Sequence, residues 1–146
     1  MTADEPVPRH RQDEIAVETR GVGLYPVDDA VGRWLGEIGA TTGLLTLFCR
    51  HTSASLTVQE NADPAVLRDL AEYFARLVPE NQPWVRHDQE GPDDMPAHIR
   101  SALTGVSLAI PVAGGEMTLG VWQGVYLFEH RRRPHRRSVV LHYSGY

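Results

Sequence analysis

The sequence contains no lysine: its 14 basic residues are all arginine, set against 19 acidic residues and a formal net charge of −5. Without lysine, neither a lysine Schiff base nor a phosphate loop of the Walker type can form. The negative balance argues against a nucleic-acid partner, because phosphate binding favours a positive field. We therefore expect no nucleic-acid partner.

Cysteine is almost as scarce, with Cys49 alone among 146 residues. A single cysteine excludes an internal disulfide and the cysteine-rich zinc and iron–sulfur sites. Cys49 lies in an apolar run, so we expect a buried thiol rather than a reactive one. No apolar run approaches the roughly 18 residues of a membrane span, and the polar start of the chain lacks the apolar core of a secretory signal. These features predict no membrane partner and a cytoplasmic location.

Two helices are predicted from apolar residues spaced three and four apart. The first follows Val27, with an Asp as its N-cap, and ends near Gly39. The second begins at Asp63, which can cap it, with Pro64 in the first helical position, and stops at Pro79. A short helix is also indicated over residues 97–103.

Alternating or continuous apolar segments predict strands at about residues 15–19, 42–49, 55–58, 106–112, 116–119, 121–129 and 138–143. Residues 1–11 are polar, and we predict a flexible N-terminal arm there, followed by a single domain over residues 12–146. The expected fold class is α+β, with the two main helices packed on a mixed or antiparallel sheet.

The run from His51 to Asp63 carries hydroxyls, two acids, an imidazole and an amide directly after an apolar strand. Polar groups fixed at a strand end are typical of binding sites. A second polar cluster extends from His87 to His98 inside a long irregular segment, which is often functional. We hypothesise that the two clusters meet in space.

Three imidazoles backed by carboxylates are what a catalytic zinc-type site requires, and His51, His87 and His98 are the candidates. No local signature such as HExxH supports them, so capping or core histidines remain an alternative. Carboxylates in the same segments leave Mg²⁺ as a second candidate ion.

The arginine-rich turn over residues 131–137 has three interpretations. It is a solvated hairpin connection, a clamp for a phosphorylated small molecule, or an RNA-binding element, although no aromatic residues are interleaved with it. Ser53 and Ser55 near His51 suggest a serine nucleophile, but nothing fixes a catalytic triad.

Three motifs resemble the signature of the YjbQ family: the run from His51 to Pro64, the run from Glu90 to Ile99, and the run from Leu119 to Leu127 followed by Glu129-His130-Arg131. The resemblance implies a β-rich, sandwich-like core, a homotrimer and a weak thiamine-phosphate-forming activity, as in secondary thiamine-phosphate synthases. It also implies a histidine-lined pocket that binds a divalent metal, Zn or Mg.

Carried onto this sequence, the resemblance makes His51, His87 and His98 the metal cluster. The predicted catalytic residues are His51, Asn61, Glu90, Asp94 and Glu129, and the predicted substrate-binding residues are Thr52, Ser53, Arg100, Trp122, Gln123 and Arg137.

Three functions remain open. The first is a diphosphate-releasing transferase that forms thiamine phosphate from phosphorylated heteroaromatic substrates, with Trp122 either stacking on a ring or packing in the core. The second is a metal-dependent, hydrolase-like enzyme of another substrate. The third is a non-catalytic trimer that binds a small metabolite.

Overall fold

The structure, a computed structural model, describes residues 4–146. The first three residues of the predicted arm therefore lie outside the described residues, while residues 4–8 have no regular secondary structure. The first strand begins at Arg9, inside the range predicted as an arm.

The described residues form eight strands and three helices. In chain order these are β1 (Arg9–Thr19), β2 (Gly23–Pro26), α1 (Asp28–Glu37), β3 (Gly43–Cys49), β4 (Ala54–Glu60), α2 (Pro64–Leu77), α3 (Asp94–Thr104), β5 (Ser107–Ala113), β6 (Glu116–Met117), β7 (Gln123–Glu129) and β8 (His135–Gly145).

The strands form two antiparallel sheets, one of five strands in the order β1-β8-β3-β5-β6 and one of three in the order β2-β7-β4. Leu45, Leu47 and Leu141 of the larger sheet and Leu56 and Leu127 of the smaller one belong to a single buried core. Alternating inward-facing residues from two sheets are what a sandwich requires. The predicted α+β, sandwich-like class is confirmed.

The capping predictions for the two main helices have different outcomes. Asp63 caps α2, since its carboxylate accepts a hydrogen bond from Ala65 N at 2.9 Å. The prediction of an aspartate cap on α1 is wrong, because the cap residue is Val27 and has no side-chain cap bond. Asp28 Oδ1 instead accepts from Val125 N at 2.9 Å, so the aspartate ties α1 to β7.

Helix α3 begins three residues earlier than the short helix predicted from Ala97. It starts at Asp94, takes in Pro96 in its first turn and ends at Thr104. Gly105 caps it, and its φ of 100° suits a residue without a Cβ. Because of this early start, Asp94 and His98 stand one helical turn apart and face the same way.

Cys49 is buried, as predicted, and burial raises the pKa of its thiol. Among residues 4–146, no helix has the length and apolar character needed to cross a membrane.

Candidate metal centre

Three side chains converge where the irregular segment after α2 enters α3. His87 belongs to that segment, while Asp94 and His98 lie in the first two turns of α3. Their ligand atoms all lie within 4.8 Å of one another. His87 Nε2 is 2.7 Å and His98 Nε2 is 3.1 Å from the same oxygen, Asp94 Oδ2. We call these three residues the histidine–aspartate cluster.

The second nitrogen of His98 determines which atom faces the cluster. His98 Nδ1 lies 2.9 Å from the backbone carbonyl oxygen of Thr52, which can only accept, so Nδ1 carries a proton. In the neutral ring, Nε2 then presents a lone pair to the Asp94 oxygen 3.1 Å away. Two facing lone pairs repel, so the arrangement is stabilised only by a proton or another cation between these atoms. Thr52 thereby fixes the tautomer that a metal ligand requires.

Arg131 holds the carboxylate of the cluster in position. Its Nη1 donates to Asp94 Oδ1 at 2.6 Å, its Nε to Asp93 Oδ2 at 3.0 Å, and its Nη2 to the carbonyl of Glu90 at 2.9 Å. Burial tends to raise the pKa of Asp94, but the hydrogen bond from His87 and the nearby positive charges lower it below its ordinary value. Asp94 is therefore an anion with Oδ1 occupied and Oδ2 directed at the imidazoles.

The arginine-rich turn is bonded mainly to acidic groups of its own chain. Among the residues the structure describes, Arg133 is the one arginine of this turn without a carboxylate partner. A phosphate clamp built from the turn would therefore have to break existing ion pairs. The pairs are Arg131 with Asp93 and Asp94, Arg132 with Glu80, Arg136 with Glu18, and Arg137 with Glu129.

Glu129, Arg137 and Ser53 are bonded to one another in the interior. Arg137 Nε donates to Glu129 Oε1 at 2.8 Å and Arg137 Nη2 to Ser53 Oγ at 2.9 Å, and all three residues are buried. Thr19 Oγ1 also donates to Glu129 Oε1, at 2.7 Å. Burial tends to raise the pKa of Glu129, but the hydrogen bonds from Arg137 and Thr19 lower it. This network joins β1, β7 and β8 beside the cluster.

Arg100, predicted to bind substrate, is 6% exposed and lies on α3. Its Nη2 donates to the carbonyl oxygen of Val78 at 2.8 Å, and its Nε has no partner among the described residues. Burial lowers the pKa of Arg100. The side chain therefore joins α3 to the C-terminal end of α2.

His51 lies outside the histidine–aspartate cluster. Its Nε2 accepts a hydrogen bond from Ser138 N at 2.8 Å. The structure thus brings two of the three predicted metal histidines together and puts Asp94, predicted to be catalytic, in the third position. Glu90, also predicted to be catalytic, is exposed, and its backbone carbonyl bonds to Arg131.

Asn61, Trp122 and Gln123 lie at the opposite end of the smaller sheet. Asn61 N donates to Trp122 O at 2.9 Å and Asn61 Nδ2 to Gln123 O at 3.2 Å. Since β4 pairs with β7 from Ala54↔Glu129 to Glu60↔Gln123, this end is about 20 Å from the end that holds the cluster. Within one chain these three residues do not reach the cluster.

Two concave regions flank the cluster. A groove of about 800 Å³ lies between the end of α2, the irregular segment and α3, and His87 is among its lining residues. A second cavity of about 720 Å³ is lined by His51, Thr52 and His98, with Phe48 and Val106 among its apolar walls. We call them the apolar groove and the histidine cavity. The cluster is therefore accessible from two sides.

Two residues of the third motif, Arg131 and His130, receive no predicted role from the sequence. Arg131 belongs to the third family motif and to the arginine-rich turn, but neither pattern indicates that it bonds to Asp93 and Asp94. His130 is fully buried, with Nε2 2.8 Å from Ser55 Oγ, which in turn is 2.6 Å from Thr104 Oγ1. Burial, reinforced by the charge of Arg100, lowers the pKa of His130 to about 3. The apolar residues before His130 were the available signal that it is buried.

Comparison with known proteins establishes the family. The model of the family described as "UPF0047 protein YjbQ-like" matches residues 13–146. A UPF0047 protein of Synechocystis is 53% identical over 137 residues, which cover 94% of this chain and 93% of that protein. The UPF0047 protein YjbQ of Salmonella typhimurium is 45% identical over 131 residues, covering 90% of this chain and 94% of that protein.

Solved structures give the same result for the fold. A hypothetical protein from Aeropyrum pernix matches with a TM-score of 0.84 and 32% identity, over 93% of this chain and 99% of that one. A conserved hypothetical protein from Thermus thermophilus matches with a TM-score of 0.80 and 39% identity, over 88% of this chain and 97% of that one.

The geometry defines a class of protein, an α+β sandwich with a histidine–aspartate cluster at one end of its smaller sheet. The comparisons then place it further: the chain belongs to the UPF0047 YjbQ-like family, so the predicted resemblance is confirmed.

Proposed function

We propose that the protein is a metal-dependent enzyme whose divalent cation is held by His87, Asp94 and His98. The observation that carries the proposal is the position of His98, held between the carbonyl of Thr52 and the carboxylate of Asp94. Two imidazoles and one carboxylate are a donor set that suits Zn²⁺, whereas Mg²⁺ prefers oxygen ligands throughout. A cation bound there would act as a Lewis acid toward a substrate oxygen.

The residues of the chain supply orientation and access. Arg131 keeps Oδ2 of Asp94 directed at the imidazoles, and Thr52 keeps Nε2 of His98 free of a proton in the neutral ring. The histidine cavity and the apolar groove give room for a small molecule on either side. These features support a hydrolase-like reaction on a small substrate that presents an oxygen-bearing group.

Metal analysis of the purified protein tests the proposal. Protein stripped with a chelator and reloaded with Zn²⁺ is expected to retain about one ion per chain, and the His98→Ala and Asp94→Asn variants are expected to lose it. His142→Ala is the matched control, because His142 pairs with Gln12 on the larger sheet. Equal zinc content in all four proteins, or none in the unaltered one, would contradict the proposal.

Formation of thiamine phosphate, implied by the family resemblance, is the second candidate. The observation that favours it is the indole of Trp122, which is 63% exposed and free to stack on a heteroaromatic ring. The protein would be given the pyrimidine-methyl diphosphate and the thiazole phosphate, and thiamine phosphate measured. We expect turnover that disappears in Trp122→Ala and His98→Ala. Turnover equal to a buffer blank would refute this candidate.

The assembly state that we propose is the homotrimer implied by the resemblance. This holds whether the trimer is an enzyme or a non-catalytic binding protein for a small metabolite. Large apolar side chains at Leu77, Trp84 and Leu103 are exposed around the apolar groove, which is common at subunit interfaces. Light scattering is expected to give about three times the chain mass of 16.3 kDa. A monomer mass would refute the trimer without affecting the metal proposal.

A further inference from the structure

His51 has a hydrogen bond that fixes its protonation. The backbone N–H of Ser138 donates to His51 Nε2 at 2.8 Å. A backbone amide can only donate, so Nε2 accepts and the proton of the neutral ring is on Nδ1. Burial, and then the charge of Arg137, lower the pKa of His51, which favours the neutral ring.

This tautomer is incompatible with a role as metal ligand. A ligating imidazole offers the lone pair of one nitrogen and donates a proton from the other. In His51 the single lone pair already accepts from Ser138, and binding a cation through Nδ1 would move a proton onto Nε2, against the amide N–H. His51 therefore differs from His98, whose proton is on the nitrogen that faces a carbonyl.

The Nδ1–H of His51 has no acceptor among residues 4–146, and Nδ1 is not fully buried, so this donor is open to a bound molecule. The ring lines the histidine cavity together with His98. Phe48 and Val106 form apolar walls of the cavity, and Arg50 also lines it. Arg50 Nη1 lies 3.2 Å from Glu14 Oε2 in an exposed ion pair. The cavity therefore offers a hydrogen-bond donor near an apolar wall. The exposed Arg50–Glu14 pair is weak enough for an anion to compete with Glu14 for the guanidinium.

We propose that the histidine cavity binds a small ligand with an oxyanion, a carboxylate or a phosphate, and that His51 donates its Nδ1–H to an oxygen of that group. This inference rests on the proposed function for one point only. Because His98 lines the same cavity, a ligand bonded to His51 would lie next to the metal ion that His98 is proposed to hold. His51 is then a donor to the ligand and not a ligand of the metal.

The tautomer is tested first, by long-range ¹H–¹⁵N correlation spectroscopy of uniformly labelled protein. The His51 resonances are assigned by their loss in His51→Gln. A proton on Nδ1 and a bare Nε2 are expected. A proton on Nε2 would overturn the proposal whether or not the protein binds metal.

A matched pair of variants tests the donor. In His51→Gln the amide oxygen takes the place of Nε2 and still accepts from Ser138, while the Nδ1–H donor is lost. In His51→Asn the side-chain amide N–H takes the place of Nδ1–H, while the acceptor for Ser138 is lost. Binding of inorganic phosphate and of acetate is measured by calorimetry, with the zinc-loaded and the zinc-free protein.

His51→Gln is expected to weaken binding of the favoured anion about tenfold, the value of one hydrogen bond to a charged group, and His51→Asn to weaken it less. The stronger binder of the two anions identifies the chemical class. Zinc affinity is expected to stay within about twofold in His51→Gln, since no coordinating atom is removed.

The two proposals fail separately. Loss of zinc in His51→Gln, to the extent seen in His98→Ala, would overturn the assignment of His51 as donor. Failure of the unaltered protein to bind zinc would refute the proposed function, but the anion titrations of the zinc-free proteins would still decide the role of His51. Failure to bind either anion, or equal affinities in the unaltered protein and His51→Gln, would overturn the inference.

Discussion

The buried imidazole of His130 is expected to make the protein sensitive to acid. His130 is 0% exposed, and burial lowers its pKa from 6.5 to about 3, with Arg100 and Arg137 acting in the same direction and Glu129 opposing them. The unfolded chain takes up the proton near its ordinary pKa, whereas the folded protein does not. The contribution of His130 to the free energy of unfolding is therefore fully present above the unfolded pKa, and it is lost as the pH falls toward the folded pKa of about 3.

The size of the effect follows from the two pKa values. Each unit between the pH and the unfolded pKa of 6.5 is worth about 1.4 kcal/mol, so going from about pH 7.5 to about pH 4.5 should lower the free energy of unfolding by about 2.7 kcal/mol. This figure is insensitive to the folded pKa as long as that value stays below the lower pH. Other groups, such as Glu129, also lose stability in acid, so the contribution of His130 has to be isolated by difference.

The His130→Gln variant isolates the contribution of His130, because the glutamine amide can replace Nε2 in the hydrogen bond to Ser55 but does not titrate. Urea unfolding at both pH values, followed by circular dichroism, gives the loss for each protein. We expect the loss to be about 2.7 kcal/mol smaller in His130→Gln than in the unaltered protein, and unchanged in the exposed-site control His10→Gln. Equal losses in the unaltered protein and His130→Gln would refute a buried neutral imidazole.

Three further predictions concern the surroundings of the cluster and the helices. Arg131→Lys is expected to weaken zinc binding about ten- to hundredfold, measured by competition with a chelating dye, while Arg132→Lys leaves it unchanged; equal effects would refute a positioning role. Glu129→Gln leaves a buried guanidinium without its partner, so the free energy of unfolding should fall by about 3–5 kcal/mol in urea, and a loss near zero would contradict the buried ion pair. Asp63→Ala removes the cap of α2 and should cost about 1 kcal/mol by the same assay, whereas no change would mean that the bond to Ala65 contributes nothing.

Much of the fold was predictable because local chemistry determines it. The Asp63-Pro64 start of α2 combines a capping carboxylate with a proline in the first turn, and the structure has both. The strands were found from apolar alternation, but β2 was missed, since a four-residue strand beginning at a glycine has too few positions to show a period. β1 was predicted too short because its first six residues are polar or partly exposed and are held by pairing with β8.

The start of α3 was a readable signal that sequence reasoning misinterpreted. The prediction of a helix from Ala97 leaves Pro96 outside it, yet proline is tolerated in a first turn, where its missing N–H has no partner to lose. Asp94 and His98 are four residues apart, so a helix that starts at Asp94 brings both side chains onto one face. In contrast, the bond between His51 and Ser138 joins residues 87 positions apart and could not be predicted without the fold.

The position of the first motif on β4 explains why the predicted site residues fall into two groups at opposite ends of the smaller sheet. The run from His51 to Asp63 contains β4, and the two ends of this extended strand, Ala54 and Glu60, are about 20 Å apart whatever the side chains are. Its first residues meet the cluster through the carbonyl of Thr52, and its last polar residue before the cap, Asn61, bonds to the loop that carries Trp122. Antiparallel pairing gives β7 the same separation, with Glu129 at the first end. Under the second candidate function, a small substrate bound at the cluster would stack on Trp122 only if that indole comes from another copy of the chain. The measured assembly state therefore tests the proposal of a heteroaromatic site more directly than the substitution of any single side chain.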